Sequence, residues 1–429
     1  MLDINLIREK TAYVKDGMEK VGADPALIDR IVELDERWRA LVSRAEDLKA
    51  ERNRKSKQVK DADDEERQQL IEYLRGVGTS IDELDEEAAD LRGQLDQLML
   101  NVPNVPHEHV PPGAGEEENV VRRTEGELPG FDFDPLPHWE IGPRLNILDF
   151  ERGVRMSGSR FYVLMGEGAR LQRALISWML DLHVREHNYT EVYPPAVVQA
   201  KCLVGTGNLP KFEENLYHDA EEDLWMIPTA EVPLTNLHRE EILDGEDLPL
   251  YYTAHTPCFR REKMKAGKDV RGIKRGHQFE KVELMKYVVP EESDRELESL
   301  MNDAEDVCRG LNLPYRVAEM CTGDLSFVAA RKFDLEVWAA GCGEWLEVSS
   351  CSNMRSFQAR RAEVRYRPEP QASPQYVHTL NGSGLALPRV LIAVLENYQQ
   401  PDGSVVVPEV LRPYMGGCER LAGRKVESK

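Results

Sequence analysis

Apolar residues between 27 and 98 follow a sustained helical rhythm. Leu27, Ile31, Leu34, Trp38, Leu41, Ala45 and Leu48 recur at alternating spacings of four and three, and Leu70, Leu74, Val77, Ile81, Leu84, Ala88, Leu91, Leu95 and Leu98 repeat the pattern. Heptad spacing with polar residues elsewhere predicts two helices packed along a common seam. The polar break KDADDEE, Lys60–Glu66, suits a tip turn, so the two helices should form an antiparallel hairpin. At ~1.5 Å per residue its arm would reach roughly 50 Å. Gly76 and Gly78 weaken the second helix by about 1 kcal/mol each relative to alanine, which the surrounding heptads should outweigh.

The rhythm stops near residue 100. NVPNVPHEHVPPGAGEEEN cannot continue a helix, and the Pro/Gly character persists through GELPGFDFDPLPHWEIGPR. These shifts divide the chain into an arm at 1–110, a linker at 111–145 and a larger domain at 146–429. Within that domain the pattern predicts an amphipathic helix over 169–188 followed by a short strand at Thr190–Tyr193. A further strand runs through Thr229–Glu231, and a helix over 294–312 precedes the strand LPYRVAEM. FDLEVWAA and EWLEVSS alternate as strands, and a glycine turn at NGSG leads into a final helix. Helices do not separate the strands regularly, so a largely antiparallel α+β sheet is expected rather than a doubly wound one.

The most informative stretch of that domain is Tyr251–Val289. Two β-rich segments, Tyr251–Phe259 and His277–Val289, flank a loop, Arg260–Gly276, with eight Lys/Arg, two acids and three glycines. Guanidinium groups hold their charge and bind phosphate bidentately, so such a loop suits a polyanion, although a solvated basic hairpin would look similar. The strand period places Phe279, Lys281 and Glu283 on one face.

Charge sharpens the picture. The net charge is −22, yet residues 49–60 carry six Lys/Arg against one Glu, a basic end on an acidic protein that could target RNA. Seven scattered cysteines without CxxC spacing suit reduced thiols in the cytosol. No apolar run approaches membrane-spanning length, so no membrane partner is expected.

TPCFRRE with RGIKRGHQFEKVE resembles motif 2 of class II aminoacyl-tRNA synthetases, NGSGLALPRVLIAVLENYQ their motif 3, and the helix–strand–Pro unit at 169–195 their motif 1. Together with IPTAEVPL, LVGTGNLPKF, EVSSCSNMRSFQARR and PEVLRPYMGG, the chain resembles the seryl-tRNA synthetase family over essentially its whole length. The resemblance implies an N-terminal coiled-coil arm followed by a class II domain, an ATP-dependent serine–tRNA ligase acting in the cytoplasm. It also implies Mg2+ with ATP, tRNA(Ser) and tRNA(Sec) as acceptors, and a homodimer through motif 1.

By the same resemblance, Arg260, Glu262 and Arg389 carry catalysis. ATP is contacted by Arg260, Arg261, Glu262, Arg275, Gly276, Phe279, Glu347, Val348, Ser349, Ser350 and Arg389, with Glu347 and Ser350 as metal ligands. Serine is bound by Thr229, Ala230, Glu231, Arg260, Glu283 and Ser383. Arg52, Arg54, Lys55 and Lys57 meet tRNA. In a regular strand Glu347 and Ser350 would face opposite ways, so a bulge or strand end is expected there. The histidines are read as structural, His277 packing at the border of the site. A carrier-protein ligase would lack the arm, and an inactive scaffold would not need Arg260, Glu262, Glu283 and Arg389. Three departures from the family pattern stand out: Arg261 replaces a small residue, Met264 and Lys265 make the loop more basic, and Leu387–Pro388 replaces a glycine.

Overall fold

The structure, a computed structural model, describes residues 1–263 and 271–423. Met264 and Lys265 lie outside the described residues. The chain forms two compact units, Met1–Pro103 and Asn104–Lys429.

In the first unit the heptads form helices α1 (Ala26–Gln58) and α2 (Asp64–Met99). Ile31, Leu34 and Ala45 of α1 are buried with Val77, Ile81, Ala88, Leu91 and Leu95 of α2. Asp63 caps α2, its side chain accepting from the backbone N–H groups of Glu65 and Glu66. The helix runs unbroken through Gly76 and Gly78. Near the tip Lys55 pairs with Glu51 at 3.4 Å and sits 3.6 Å from the centre of the Tyr73 ring, whereas Arg54 and Lys57 are exposed.

At the arm's base the buried Asp35 receives Arg8 at 2.6 Å and Arg39 at 3.0 Å, tying the short Ile4–Glu9 helix to α1. Burial alone would raise its carboxyl, but the two guanidinium groups hold it below the ordinary carboxylate range. This contribution is present above the unfolded value near ~3.9 and is lost as pH falls through the lower folded one. Asp35→Ala is expected to cost about 1–3 kcal/mol and to remove that acid sensitivity. Hydrogen exchange in residues 1–103 of the full chain, followed from neutral pH downwards, checks both outcomes.

The second unit is built on an eight-stranded sheet. Its strands in chain order are β1 (Val120–Glu125), β2 (Thr190–Glu191), β3 (Leu250–Phe259), β4 (Gln278–Val288), β5 (Tyr315–Glu319), β6 (Arg331–Ala339), β7 (Glu344–Arg355) and β8 (His378–Ala386). In space they run β1-β5-β6-β7-β8-β4-β3-β2, antiparallel throughout except for β2 beside β3. Helices α3 (Glu167–Glu186), α4 (Ser293–Gly310) and α5 (Leu387–Asn397) carry apolar faces that join one core with the sheet, including Leu171, Leu175, Leu300, Val307, Leu391 and Leu395. The α+β expectation holds, and all seven cysteines are free.

Three local expectations need correction. Segment 111–145, expected as linker, contributes edge strand β1 and the helix His138–Arg144, and Pro111 and Gly113 accept backbone hydrogen bonds from Thr322 and Gly323. A proline-rich segment is already extended and loses little entropy when it is laid along a surface. Thr229–Glu231 is not a strand; the strand is Trp225–Met226, and a helix starts at Glu231. Pro228 and Pro233 cannot donate to a ladder, which stops it there. NGSG is not a turn but the middle of β8. Its glycines answer to packing: a Cβ on Gly384 would come within 2.5 Å of the His183 ring, and one on Gly382 within 3.0 Å of the Cys351 sulfur. Pro388 falls in the first turn of α5, where its missing N–H has no helical partner to lose.

Candidate active site

β3 and β4 pair from Leu250↔Tyr287 to Phe259↔Gln278, and the backbone at Arg260 continues the ladder by donating to His277 O at 2.9 Å. His277 Nδ1 lies 2.9 Å from Arg260 O and its ring packs on Phe161, the structural role expected of it. The Arg260 guanidinium donates to Pro228 O at 3.2 Å and lies 5.1 Å from the centre of the Phe279 ring. The Arg261 guanidinium lies 5.9 Å from the centre of the Tyr217 ring.

Glu262 is buried with φ at +50°, a backbone geometry that side chains seldom adopt. Its carbonyl accepts from Arg160 and its carboxylate lies 3.6 Å from Arg275. Outliers of this kind concentrate at functional sites. Gly276 lies beside Arg275, where a Cβ would press within 3.0 Å of Gln278 O.

A bulge does occur between β6 and β7. Leu335 pairs with Ser349 and Glu336 with Glu347, leaving Val348 as the extra residue. The shift brings Glu347 and Ser350 to one side, and the Ser350 hydroxyl donates to Glu347 Oε1 at 2.9 Å. Arg389, in the first turn of α5, donates to Glu347 O at 2.6 Å and stands 3.4 Å from its carboxylate. Burial would raise the Glu347 carboxyl, yet Arg389, Lys332, the Ser350 hydroxyl and Arg260 together hold it well below the ordinary range. Its side chain nevertheless keeps 44% of its area exposed, so the group lines a recess rather than a closed core.

A second cluster centres on Glu283, which is fully buried on β4. Thr229 Oγ1 donates to its Oε2 at 2.8 Å, Asn381 Nδ2 to its Oε1 at 3.1 Å, and Lys281 forms an ion pair with it. Phe279, Lys281 and Glu283 thus share the face expected of them. Ser383 pairs with Glu283 across the β8–β4 ladder, and its N–H donates to Ser349 Oγ at 2.9 Å. Ala230 is buried, and Glu231 N donates back to Thr229 Oγ1. Burial, and then the neighbouring Glu283, push the Glu231 carboxyl up to about 7 against a 2.7 Å hydrogen bond from Gln358.

The Arg260 charge acts on both clusters, favouring the ionised forms of Glu347 and Glu231. Lys281, Gln358 and Asn381 also face the buried carboxylates of the site, which the motif resemblance does not mark. Reading NGSG as a strand would have put Asn381 on the same face as Ser383.

The strand order, the bulge beside Arg389 and the arginine closing the β3–β4 pair define a class II aminoacyl-tRNA synthetase core, and the family model for the tRNA synthetase class II core domain (G, H, P, S and T) matches residues 211–398. A likeness to the prolyl-tRNA synthetase of Giardia lamblia (TM-score 0.56, 15% identity, 66% of this chain and 58% of that one) reflects the shared fold alone. The seryl-tRNA synthetase N-terminal domain matches residues 1–106. The serine–tRNA ligase of Roseiflexus sp. (strain RS-1) is 61% identical over 98% of this chain and 99% of its own, and that of Thermomicrobium roseum 60% identical over 98% and 95%. The crystal structure of seryl-tRNA synthetase from Pyrococcus horikoshii complexed with ATP superposes with a TM-score of 0.94 at 38% identity, covering 99% of this chain and 100% of that one. The chain belongs to the seryl-tRNA synthetase family, the ATP-dependent serine–tRNA ligases.

Proposed function

We propose that this chain activates L-serine with ATP, forming seryl-adenylate and pyrophosphate, and then transfers serine to the 3′ end of tRNA(Ser). The placement of Arg260 supports this reading best: it donates to the carbonyl of Pro228, next to the Thr229 that bonds Glu283, lies against Phe279, and its charge also favours the ionised form of Glu347, as a centre where the reacting carboxylate and α-phosphate meet requires.

The serine carboxylate attacks the α-phosphorus in line as pyrophosphate leaves; a ribose hydroxyl of the tRNA terminus then attacks the acyl carbonyl and releases AMP. The first nucleophile is already an anion, so positioning and charge neutralisation suffice, and no histidine base is needed. Arg260 neutralises the α-phosphate and Arg389 the γ-phosphate, the latter helped by its place in the first turn of a helix. Glu262, Arg275, Gly276 and Phe279 frame the nucleotide, and Glu283 reads the serine hydroxyl. Glu347 and Ser350 offer converging hard oxygen donors, one held ionised, which fit Mg2+. The ion would add positive charge beside the phosphates.

The exposed Arg54 and Lys57, with Arg52 and Lys55, make the arm's tip a tRNA contact, for tRNA(Ser) and by the same chemistry tRNA(Sec). The family resemblance supports a homodimer that works in the cytoplasm. Among the described residues no helix is long and apolar enough to cross a membrane. Deleting Val32–Leu91 is expected to spare serine-dependent ATP–pyrophosphate exchange and to abolish aminoacylation of tRNA. Equal loss of both activities in the purified variant would count against a tRNA-specific arm.

A further inference from the structure

Glu231 is held by a relay that starts on β8. Gln358, in the Phe357–Ala362 helix, is fully buried. Its Nε2 donates to Glu231 Oε1 at 2.7 Å and to Thr206 O at 3.3 Å, while its Oε1 accepts from the buried Thr379 hydroxyl at 2.9 Å. A flipped amide would turn its oxygen towards a carboxylate and a carbonyl, so the Thr379 hydroxyl fixes which end faces Glu231. Thr379, Asn381 and Ser383 alternate along β8, and Asn381 makes the equivalent hydrogen bond to Glu283. One strand face therefore orients both carboxylates of the pocket, Glu283 directly and Glu231 through Gln358.

We propose that Gln358, locked by Thr379, is a positioning residue for serine: it fixes the Glu231 carboxylate as an acceptor for the substrate's ammonium group. The inference rests on the reading of Thr229–Glu231 and Glu283 as the amino-acid pocket. Glu231 is faced by Glu283 and Lys281 from β4, by Arg260 beyond β3 and by the neutral amide of Gln358. Of these, only Gln358 supplies it with a neutral donor at hydrogen-bond distance. Replacing that amide by a carboxylate would remove the donor and add like charge, so Glu231 would ionise only at higher pH.

The test measures Michaelis constants for serine and for ATP in pyrophosphate exchange between pH 6 and 9, with the full chain and Gln358→Glu, Thr379→Val, Thr379→Ser and Glu231→Gln. A hydrogen bond to a charged group corresponds to roughly a 10–100-fold change, so Gln358→Glu should raise the serine constant by that factor, leave the ATP constant within about twofold, and shift the optimum for serine to higher pH. Thr379→Val should raise the serine constant by roughly 2–10-fold and Thr379→Ser should restore it. If Gln358→Glu does not fold, the two Thr379 variants decide. An unchanged serine constant, or equal rises for serine and ATP, overturns the relay. If Glu231→Gln itself leaves the serine constant unchanged, the pocket reading has failed instead.

Discussion

Replacing Arg260 by alanine is expected to lower serine-dependent ATP–pyrophosphate exchange by roughly 10²–10³-fold, the cost of removing one preorganised donor from a developing oxyanion. Arg260 closes the β3–β4 pair, and its guanidinium is held against Pro228 O and the Phe279 ring. Lysine should recover little of the activity. An ammonium keeps the charge but lacks the planar fork, and its flexible stem would not hold the same place. Because the charge that Arg260 would neutralise develops on the α-phosphate in the transition state, the loss should be expressed in kcat and not merely in the affinity for either substrate. A variant that folds, retains kcat and loses only ATP affinity would move Arg260 from the reacting centre to the nucleotide's periphery.

Glu283→Gln carries the second large effect. The carboxylate is fully buried and accepts from Thr229, Asn381 and Lys281. Glutamine keeps the volume and one acceptor oxygen, but turns an amide towards donors that already point inward and leaves Lys281 without its counter-charge. A site built to hydrogen-bond a substrate hydroxyl depends on every such group being matched. The catalytic efficiency for serine should fall at least ~100-fold, corresponding to about 2.7 kcal/mol, while the ATP constant stays within about twofold. Parallel measurement of both constants in pyrophosphate exchange separates pocket chemistry from general damage, and a thermal melt shows how much of the loss follows from the stranded Lys281.

Much of this architecture is legible in the amino-acid sequence. Heptads specify α1 and α2 because the 3.5-residue period is redundant over many turns and survives two glycines. The β3–β4 pair is legible from alternating apolar residues on either side of a charged loop, and the same period of two places Phe279, Lys281 and Glu283 together. Even the bulge at Val348 follows from requiring Glu347 and Ser350 to act on one ligand. What escapes the sequence has a common origin in tertiary packing. Gly382 and Gly384 look like a turn because local propensity says nothing of the His183 ring and Cys351 sulfur pressing on them. The proline-rich 111–145 segment looks like a spacer because its partners, β5 and the 322–323 turn, lie some 200 residues away. Gln358 and Asn381 lack any charge that would mark them, and their importance comes from the carboxylates they face.

Arg260 is thus expected to serve a single centre where serine and ATP react. The most direct test is ATP–pyrophosphate exchange by the purified full chain with serine, threonine or alanine as the only amino acid. Exchange is expected with serine, little with threonine, and less still with alanine, which has no hydroxyl to donate to Glu283. Exchange that is independent of serine, or as fast with alanine as with serine, would contradict it.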